Sequence, residues 1–584
     1  MGSNIGSENW RFFKQVLEGR WFSIFAAFLI MIGCGSTYLF GTYSKVLKTK
    51  FDYSQTQLSS LSFAKDLGSN LGVFAGLFAE VAPPWMLFLV GLTLNFFSYF
   101  MIWLSLSEYV PKPNLWLMFI YVYISANAQN FANTAVLVTS VRNFPDQRGV
   151  VIGLLKGFVG LGGAILTQVY FSMYGHDDPI SLVLLLSWLP SLVCFLFFLT
   201  FRTIKAPKHP QELKIFFHLL YVSLTMAVFI LFLTITQKNS HFTHAKYVGG
   251  VSVIIVLLCL PLLIAIKEEL FLFKLNKQTK DPSVVVSIPV LKLEEVAETS
   301  SPPSFSNNVS NKPQRGDDFG ILQALFSKDM ALIFIATVSA CGSSVAAIDN
   351  LGQIAESLNY PSKSINVFVS WISIFNFFGR VCSGFISETL MTKYKLPRPL
   401  MFGLTQIITC IGLVAIAFPF KNSIYAASLI VGFGFGAQTP LLFALISDLF
   451  GLKHYSTLLN CGQLAVPFGS YIMNIHVVGK LYDREATKNG NVKTGKGLTC
   501  TGIHCFSKSF TILVIATLFG AMASFVLAYR TREFYKGDIY KRYRDDQMWT
   551  TTQSDVELFS SSDNKKMKNC DEEQDRDESK FVSK

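Results

Sequence analysis

The feature that most constrains this chain is a series of about 14 apolar blocks, each close to 20 residues long. A helix that spans a bilayer needs about 20 mostly apolar residues. Hydrophobic residues make up 51% of the chain and charged residues only 15%, whereas soluble domains carry roughly 25% charged residues. The sequence therefore predicts an all-α polytopic membrane protein, with the lipid bilayer as its surroundings.

The blocks form two sets of six, with a further pair and a polar stretch between them. They lie near residues 21–43, 58–80, 84–106, 115–138, 149–171 and 181–201, then 215–236 and 247–266, then 331–348, 365–387, 399–418, 424–446, 457–479 and 508–528. This pattern predicts six regions: an N-terminal segment (1–20), a first six-helix bundle (21–201), an inserted helix pair (202–266), a flexible linker (267–329), a second six-helix bundle (330–529) and a disordered tail (530–584).

Basic residues in the short loops favour an orientation with both termini and the linker in the cytoplasm. Arg142, Arg148, Lys393 and Arg398 all fall on that side. The net charge is +12, but the Lys and Arg residues that carry it are scattered through short loops between the apolar blocks. No nucleic-acid partner is therefore expected. The loop before the last block would then face the oxidising side, where Cys500 and Cys505 are candidates for a disulfide.

Short motifs recur in the two halves at a nearly constant spacing. Gly35-Ser36-Thr37 matches Gly342-Ser343-Ser344 at 307 residues, and the segment from Gly76 to Glu80 matches the segment from Gly384 to Glu388 at 308 residues. A constant offset that also preserves helix number indicates two homologous bundles.

Polar residues inside apolar blocks are the candidates for a solute cavity, because a charge in hydrocarbon costs several kcal/mol and needs water or a partner. The candidate cavity residues are Tyr38, Lys65, Asp66, Asn127, Asn130, Lys156, Asp349, Asn350, Asn376 and Gln438. Several have plainer interpretations: the amides could join helices, Lys156 could reach the headgroups and Asp349 could end a helix. Lys65 and Asp66 are adjacent and point about 100° apart on a helix, so no close pair is expected between them.

These motifs suggest a family. The segments Gly35–Ser44, Lys65–Gly68 and Gly76–Glu80 resemble the plant nodulin-like branch of the major facilitator superfamily, and the second half is similar to nuclear fusion defective 4-like proteins. The resemblance implies a major facilitator fold of two six-helix bundles that rock about a central cavity and expose it to each side in turn.

The resemblance also implies a gate. Superfamily members carry a glycine, an acid and then basic residues after helix two, and Gly76 and Glu80 match the first part. No basic residue follows them directly, whereas the second half contains a fuller copy. The candidate gating residues are Gly76, Glu80, Arg142, Arg380, Gly384, Glu388 and Asp448. Glu388 or Asp448 is expected to pair with Arg380.

The sequence thus predicts a secondary carrier of a small solute, acting as a monomer in the plasma membrane or an endomembrane such as the vacuole. The distant resemblance to monocarboxylate and oxalate carriers, with Lys65 and Lys156, favours an organic anion; Asp66 or Asp349 would bind protons if transport is proton-coupled. No enzyme activity, cofactor or metal is expected. The alternatives are a fourteen-helix drug/proton antiporter and a non-transporting receptor or scaffold.

Overall fold

The computed structural model describes residues 2–53, 55–175, 179–204, 211–239, 243–280, 313–360, 362–488 and 500–540, and every regular element in these ranges is helical. The central part of the predicted linker, 281–312, and the predicted tail from 541 onwards lie outside the described residues.

The described residues of the first half form nine α-helices. They are α1 (Gly2–Glu18), α2 (Arg20–Gly33), α3 (Phe40–Phe51), α4 (Gln55–Asn70), α5 (Val73–Val81), α6 (Pro84–Leu106), α7 (Leu115–Asn143), α8 (Arg148–Tyr174) and α9 (Pro179–Phe197). The 3₁₀ segment Cys34–Leu39 joins α2 to α3. The helix starts are encoded locally: Pro84 occupies the first turn of α6, and the side chain of Asn114 accepts a hydrogen bond from the backbone of Leu117 at 2.8 Å to cap α7.

The inserted pair consists of α10 (Glu212–Asn239) and α11 (His244–Lys280). It packs against the first half: Arg20 forms a buried ion pair with Glu212 at 3.0 Å, and the side-chain amides of Gln168 and Gln237 bond to each other. The only aromatic contact recorded from α10 to the second half, among the described residues, joins Phe217 to Phe385 at 5.3 Å between ring centroids.

The second half begins with α12 (Ile321–Leu325) and continues with α13 (Lys328–Asp349), α14 (Leu351–Ser357), α15 (Ser362–Tyr394), α16 (Arg398–Ala417), α17 (Ser423–Phe450), α18 (Tyr455–Gln463), α19 (Ala465–Ser470), α20 (Lys480–Lys488) and α21 (His504–Lys536). A π-helical segment, Tyr471–Gly479, lies between α19 and α20. Ser327 caps α13 by accepting a hydrogen bond from the backbone of Met330 at 3.0 Å.

Three predicted boundaries are wrong. The linker was expected to reach 329, but α12 begins at Ile321 and α13 at Lys328. The linker was expected from 267, but α11 runs to Lys280, because residues such as Glu269 and Phe273 contact α1 through Gln15 and Phe12. The tail was expected from 530, but α21 continues to Lys536 and Tyr540 is buried.

Ten helical segments in the described ranges are long and apolar enough to cross a membrane. The chain is an integral, multi-pass membrane protein. The predicted blocks near 58–80, 115–138, 365–387 and 457–479 are helical as well, but they are interrupted or rich in polar residues. The count of 14 spans therefore stays a prediction.

Candidate solute cavity and gate

A cavity of about 320 Å³ lies between the two halves. Small-molecule sites typically measure about 300–1,000 Å³. Six of the ten predicted cavity residues line it, together with the predicted gating residue Arg380: Tyr38, Lys65, Asp66, Asn130, Lys156 and Asp349. Since the first five belong to the first half and Asp349 to the second, the structure brings both halves to one space.

Arg380 forms the floor of the cavity and is only 4% exposed. Its guanidinium donates to the backbone oxygen of Lys156 and to the hydroxyl of Tyr38, both at 2.9 Å. Its Nε has no hydrogen-bond partner. Arg380 belongs to the second half and both of its acceptors belong to the first, so this residue joins the halves beneath the cavity.

Lys156 is the second cation at the floor. Its Nζ donates to Oδ1 of Asn133 at 3.0 Å and lies 4.7 Å from the centre of the Phe443 ring. Within the described ranges, neither Lys156 nor Arg380 has a carboxylate at ion-pair distance. The floor therefore carries two buried basic side chains with no acidic side chain of the described residues at ion-pair distance.

The mouth of the cavity carries acidic groups. Lys65 and Asp66 form an ion pair at 2.7 Å, so the expectation that they do not pair is wrong; the long lysine side chain reaches back to its neighbour. Asp349 is solvent-exposed and accepts a hydrogen bond from Nδ2 of Asn474 at 3.0 Å. Asp349 ends α13, on the far side of the cavity from the floor.

Asn127 does not line the cavity. The helix that runs from α4 into α5 is broken at Leu71 and Gly72, which frees backbone oxygens that a continuous helix would use. Nδ2 of Asn127 donates to the oxygens of Gly68 and Leu71 at 3.2 and 2.8 Å, and Asn130 donates to Gly68 at 2.8 Å. Asn127 thus stabilises the break, while Asn130 both stabilises it and lines the cavity.

Three further predicted cavity residues also lie outside the cavity lining. Asn350 donates to Oδ1 of Asn474 at 2.6 Å, and Gln438 is fully buried, where it donates to Thr409 at 3.2 Å and accepts from Cys341 at 3.4 Å. Asn376 is buried where α15 packs tightly on α17 at Gly436. Asn350 and Gln438 thus bond to protein partners, as polar groups inside a protein usually do.

One end of the bundle, formed by residues 80, 142–149, 388–398 and 448–457, is closed by contacts between the halves; we call it the sealed end. Glu80 of the first half bonds to His454 at 2.9 Å, to Thr457 Oγ1 at 3.0 Å and to the Ser456 hydroxyl. Arg142 donates to the backbone oxygens of Leu452 and Lys453 at 3.3 and 3.2 Å.

The second half provides a larger buried network at the sealed end. Arg398 binds Glu388 at 2.7 Å and Asp448 at 2.8 Å, while Glu388 accepts from the backbone of Gly149 at 2.9 Å and from the Tyr540 hydroxyl at 2.8 Å. The expected pairing of Arg380 with Glu388 or Asp448 is therefore wrong, because both carboxylates bind Arg398 instead. Glu388 lies eight residues along α15 from Arg380, which is about 12 Å of helix rise.

Glycines allow the backbones to meet at the sealed end. A Cβ at Gly384 would lie 2.5 Å from the backbone oxygen of Gly149, and one at Gly76 would lie 2.8 Å from that of Ser456. Any larger residue would force the halves apart here.

Sequence reasoning missed several contributors. It placed Arg398 in the fuller second-half copy of the gate motif but did not pair it with Glu388. It noted Asn133 on the amide-rich face of the fourth block without counting it among the cavity residues, and it did not single out Tyr540, Ser456 or Thr457. The regular spacing of Asn127, Asn130 and Asn133 was a usable signal for Asn133, since residues three apart share a helix face. Tyr540 carries no such signal, because it follows the last apolar block.

Cys500 and Cys505 form a disulfide with a Cα–Cα distance of 5.9 Å. Nearby, the hydrogen bond from Lys508, at 2.9 Å, lowers the pKa of the Glu485 carboxyl. The backbone of Gly502 donates to Ser357 at 2.8 Å. This loop therefore ties α20, α21 and α14 together at the end opposite the sealed end.

Comparison with known proteins is consistent with this architecture. The chain resembles a solved proton:xylose symporter of the major facilitator superfamily, XylE, at 12% identity and a TM-score of 0.51, over 88% of this chain and 96% of that one. Residues 20–266 match the Nodulin-like family model, and residues 318–537 match the model of the NFD4 C-terminal domain. The fold is that of a major facilitator transporter.

The chain is also similar in sequence to two named proteins. Protein NUCLEAR FUSION DEFECTIVE 4 of Arabidopsis thaliana is 24% identical over 548 residues, 91% of each chain. Probable transporter MCH1 of Yarrowia lipolytica is 24% identical over 223 residues, 36% of this chain and 44% of that protein. The chain belongs to the nodulin-like, nuclear fusion defective 4-like family of the major facilitator superfamily.

Proposed function

We propose that this protein is a secondary carrier that moves a small organic anion across a membrane by alternating access. The observation that carries the proposal is the pair of buried cations, Arg380 and Lys156, at the floor of a cavity between the two halves. Buried charges normally have partners. A solute carboxylate would supply one, and an arginine fork suits a carboxylate particularly well.

The contacts of Arg380 suggest how binding would lead to movement. Its guanidinium holds the first half through Tyr38 and the Lys156 backbone. An anion that takes over these hydrogen bonds would release a link between the halves. Its binding energy would then favour separation at the sealed end, because a ligand shifts a conformational equilibrium by its difference in affinity for the two states.

The orientation belongs to the same proposal. We place both termini and the sealed end in the cytoplasm, because Arg142, Arg148, Lys393 and Arg398 cluster there and basic residues favour the cytoplasmic side. The cavity then faces the exterior or an organelle lumen. The protein acts as a monomer, in the plasma membrane or an endomembrane such as the vacuole.

We further propose that transport is proton-coupled and that Asp66 is the group that takes up the proton. Its carboxylate borders the cavity and is 42% exposed, so protons reach it from water.

The test is uptake of labelled small organic anions into proteoliposomes, with and without a pH gradient. We expect saturable uptake by the wild type and its loss in Arg380→Gln. The matched control is Arg532→Gln, which removes an arginine with a side chain 55% exposed at the end of α21 and should leave uptake intact. Absence of uptake for every anion, or full uptake by Arg380→Gln, would overturn the proposal.

A further inference from the structure

The cavity carries opposite charges at its two ends. Its floor holds Arg380 and Lys156, and its mouth holds Asp349, all of which line the same space. Lys65 and Asp66 also lie at the mouth, but they neutralise each other at 2.7 Å. The floor therefore has a positive surplus and the mouth a negative one.

Asp349 supplies the negative surplus. Within the described ranges its recorded hydrogen bond is with an uncharged amide, Asn474, and no cation lies at ion-pair distance from it. Lys65 interacts with it electrostatically from across the mouth, but Lys65 is already bonded to Asp66. Asp349 thus lines the cavity with no cation of the described residues at ion-pair distance.

The floor of the cavity contains a buried hydrogen-bond donor that has no acceptor. Arg380 is 4% exposed, lines the cavity, and has an Nε without a partner. A buried donor without an acceptor is unfavourable. A ligand oxygen at the floor would give this donor an acceptor, so this end of the cavity suits an anion.

We infer that the solute is a zwitterion, with a carboxylate that binds Arg380 at the floor and an ammonium group that faces Asp349 at the mouth. The inference rests on the proposed function and names the substrate class: linear amino acids whose two charged groups lie at opposite ends. A simple monocarboxylate would gain the floor contacts but would leave Asp349 without a counter-charge.

A matched series of solutes tests this on the whole protein. The probes are unbranched ω-amino acids of two to six carbons, the monocarboxylates of the same lengths and the corresponding alkylamines. Binding to the purified protein is measured by calorimetry, and exchange is measured in proteoliposomes. We expect at least one ω-amino acid to bind about fivefold or more tightly than its monocarboxylate, which corresponds to about 1 kcal/mol for a solvated ion pair.

Variants of Asp349 assign the preference. Asp349→Asn should remove the discrimination between the ω-amino acid and the monocarboxylate, whereas Asp349→Glu should retain most of it. The control is Glu356→Gln, which removes an exposed carboxylate of α14 that does not line the cavity. Retained discrimination in Asp349→Asn would overturn the role of Asp349.

The failure of this inference is distinguishable from the failure of the proposed function. If the wild type binds monocarboxylates as tightly as ω-amino acids, the zwitterion inference is wrong while the anion carrier stands. If no anion of either series binds or exchanges, the proposed function itself is wrong.

Discussion

The carboxylates of Glu80 and Glu388 occupy equivalent places in the two halves, and each accepts a hydrogen bond from the first turn of a helix in the opposite half. Glu388 binds the backbone of Gly149 at 2.9 Å, and Glu80 binds the backbone of Thr457 at 3.4 Å. Helix N-termini attract anions through their free N–H groups and dipole. The same type of contact thus closes the sealed end at two places, one from each half. This agrees with the recurrence of the Gly76–Glu80 motif as Gly384–Glu388.

The two clamps should differ in strength. Glu388 is almost fully buried and bonds to Arg398 and Tyr540, whereas Glu80 is part-buried. Removing the charge of Glu388 leaves a buried arginine short of one partner, at a cost of about 2–5 kcal/mol. Glu388→Gln should therefore open the sealed end more than Glu80→Gln, seen as a longer distance between spin labels at positions 203 and 395. Position 203 follows Arg202, whose backbone oxygen accepts a hydrogen bond from Asn143 of the sealed end at 3.1 Å. Equal effects would contradict this ranking; Glu533→Gln, at an exposed ion pair, is the control.

A side chain at Gly384 should prevent closure of the sealed end. Gly384→Ala places a Cβ 2.5 Å from the oxygen of Gly149, a contact that neither backbone can relieve locally. We expect the state with a closed sealed end to lose population and uptake to fall at least tenfold. Gly249→Ala, whose Cβ has no atom within 4 Å, should behave as the wild type. Normal uptake by Gly384→Ala would show that this contact is not required.

Tyr38 should hold Arg380 rather than the solute. If so, Tyr38→Phe removes a competitor for the guanidinium, and the KM for the anion should fall by about fivefold, the equivalent of one hydrogen bond of about 1 kcal/mol. If the hydroxyl binds the solute directly, the same variant should raise KM instead. Initial uptake rates over a range of solute concentrations distinguish the two.

Asn127 should matter for stability and not for solute recognition. Asn127→Ala leaves the oxygens of Gly68 and Leu71 with one donor fewer at the break between α4 and α5, which should cost about 1–2 kcal/mol. We expect a lower thermal midpoint with an unchanged KM. Ser252→Ala, which removes an exposed hydroxyl of α11, should change neither. A raised KM in Asn127→Ala would place this amide in the binding site.

Proton coupling should depend on Asp66. Asp66→Asn cannot change its charge, so a pH gradient should no longer drive uptake, while exchange at equal pH on both sides should persist. Surface labelling of the variant checks that it reaches the membrane. Uptake that still follows the gradient in Asp66→Asn would remove this residue from the coupling step.

The membrane class, the fold and the family were predictable because each rests on features spread along the chain. About 20 consecutive apolar residues predict a membrane span wherever they occur. The recurrence of the Gly76–Glu80 motif as Gly384–Glu388 indicates two related halves. The ends of α11 and α21 were not predictable from hydropathy, since Phe273 and Tyr540 contribute through contacts with distant segments.

The cavity was predictable in part. Charged residues such as Lys156 and Arg380 could be found because hydrocarbon tolerates few charges. The partners of those charges could not be predicted. Arg398, and not Arg380, binds Glu388, because the packing of α16 against α15 brings Arg398 next to it. Amides are ambiguous for a related reason: Asn127 and Asn130 lie three residues apart, yet only Asn130 lines the cavity.

The inserted helices are fastened unequally to the two halves. The Arg20–Glu212 ion pair and the paired amides of Gln168 and Gln237 bind α10 to the first half, whereas Phe217 and Phe385 make an apolar contact with the second. Breaking a buried ion pair is costly, whereas an apolar contact is non-directional. During a transport cycle α10 and α11 should move as a rigid body with the first half. A fluorophore on α10 would then report a change in its distance to the second half.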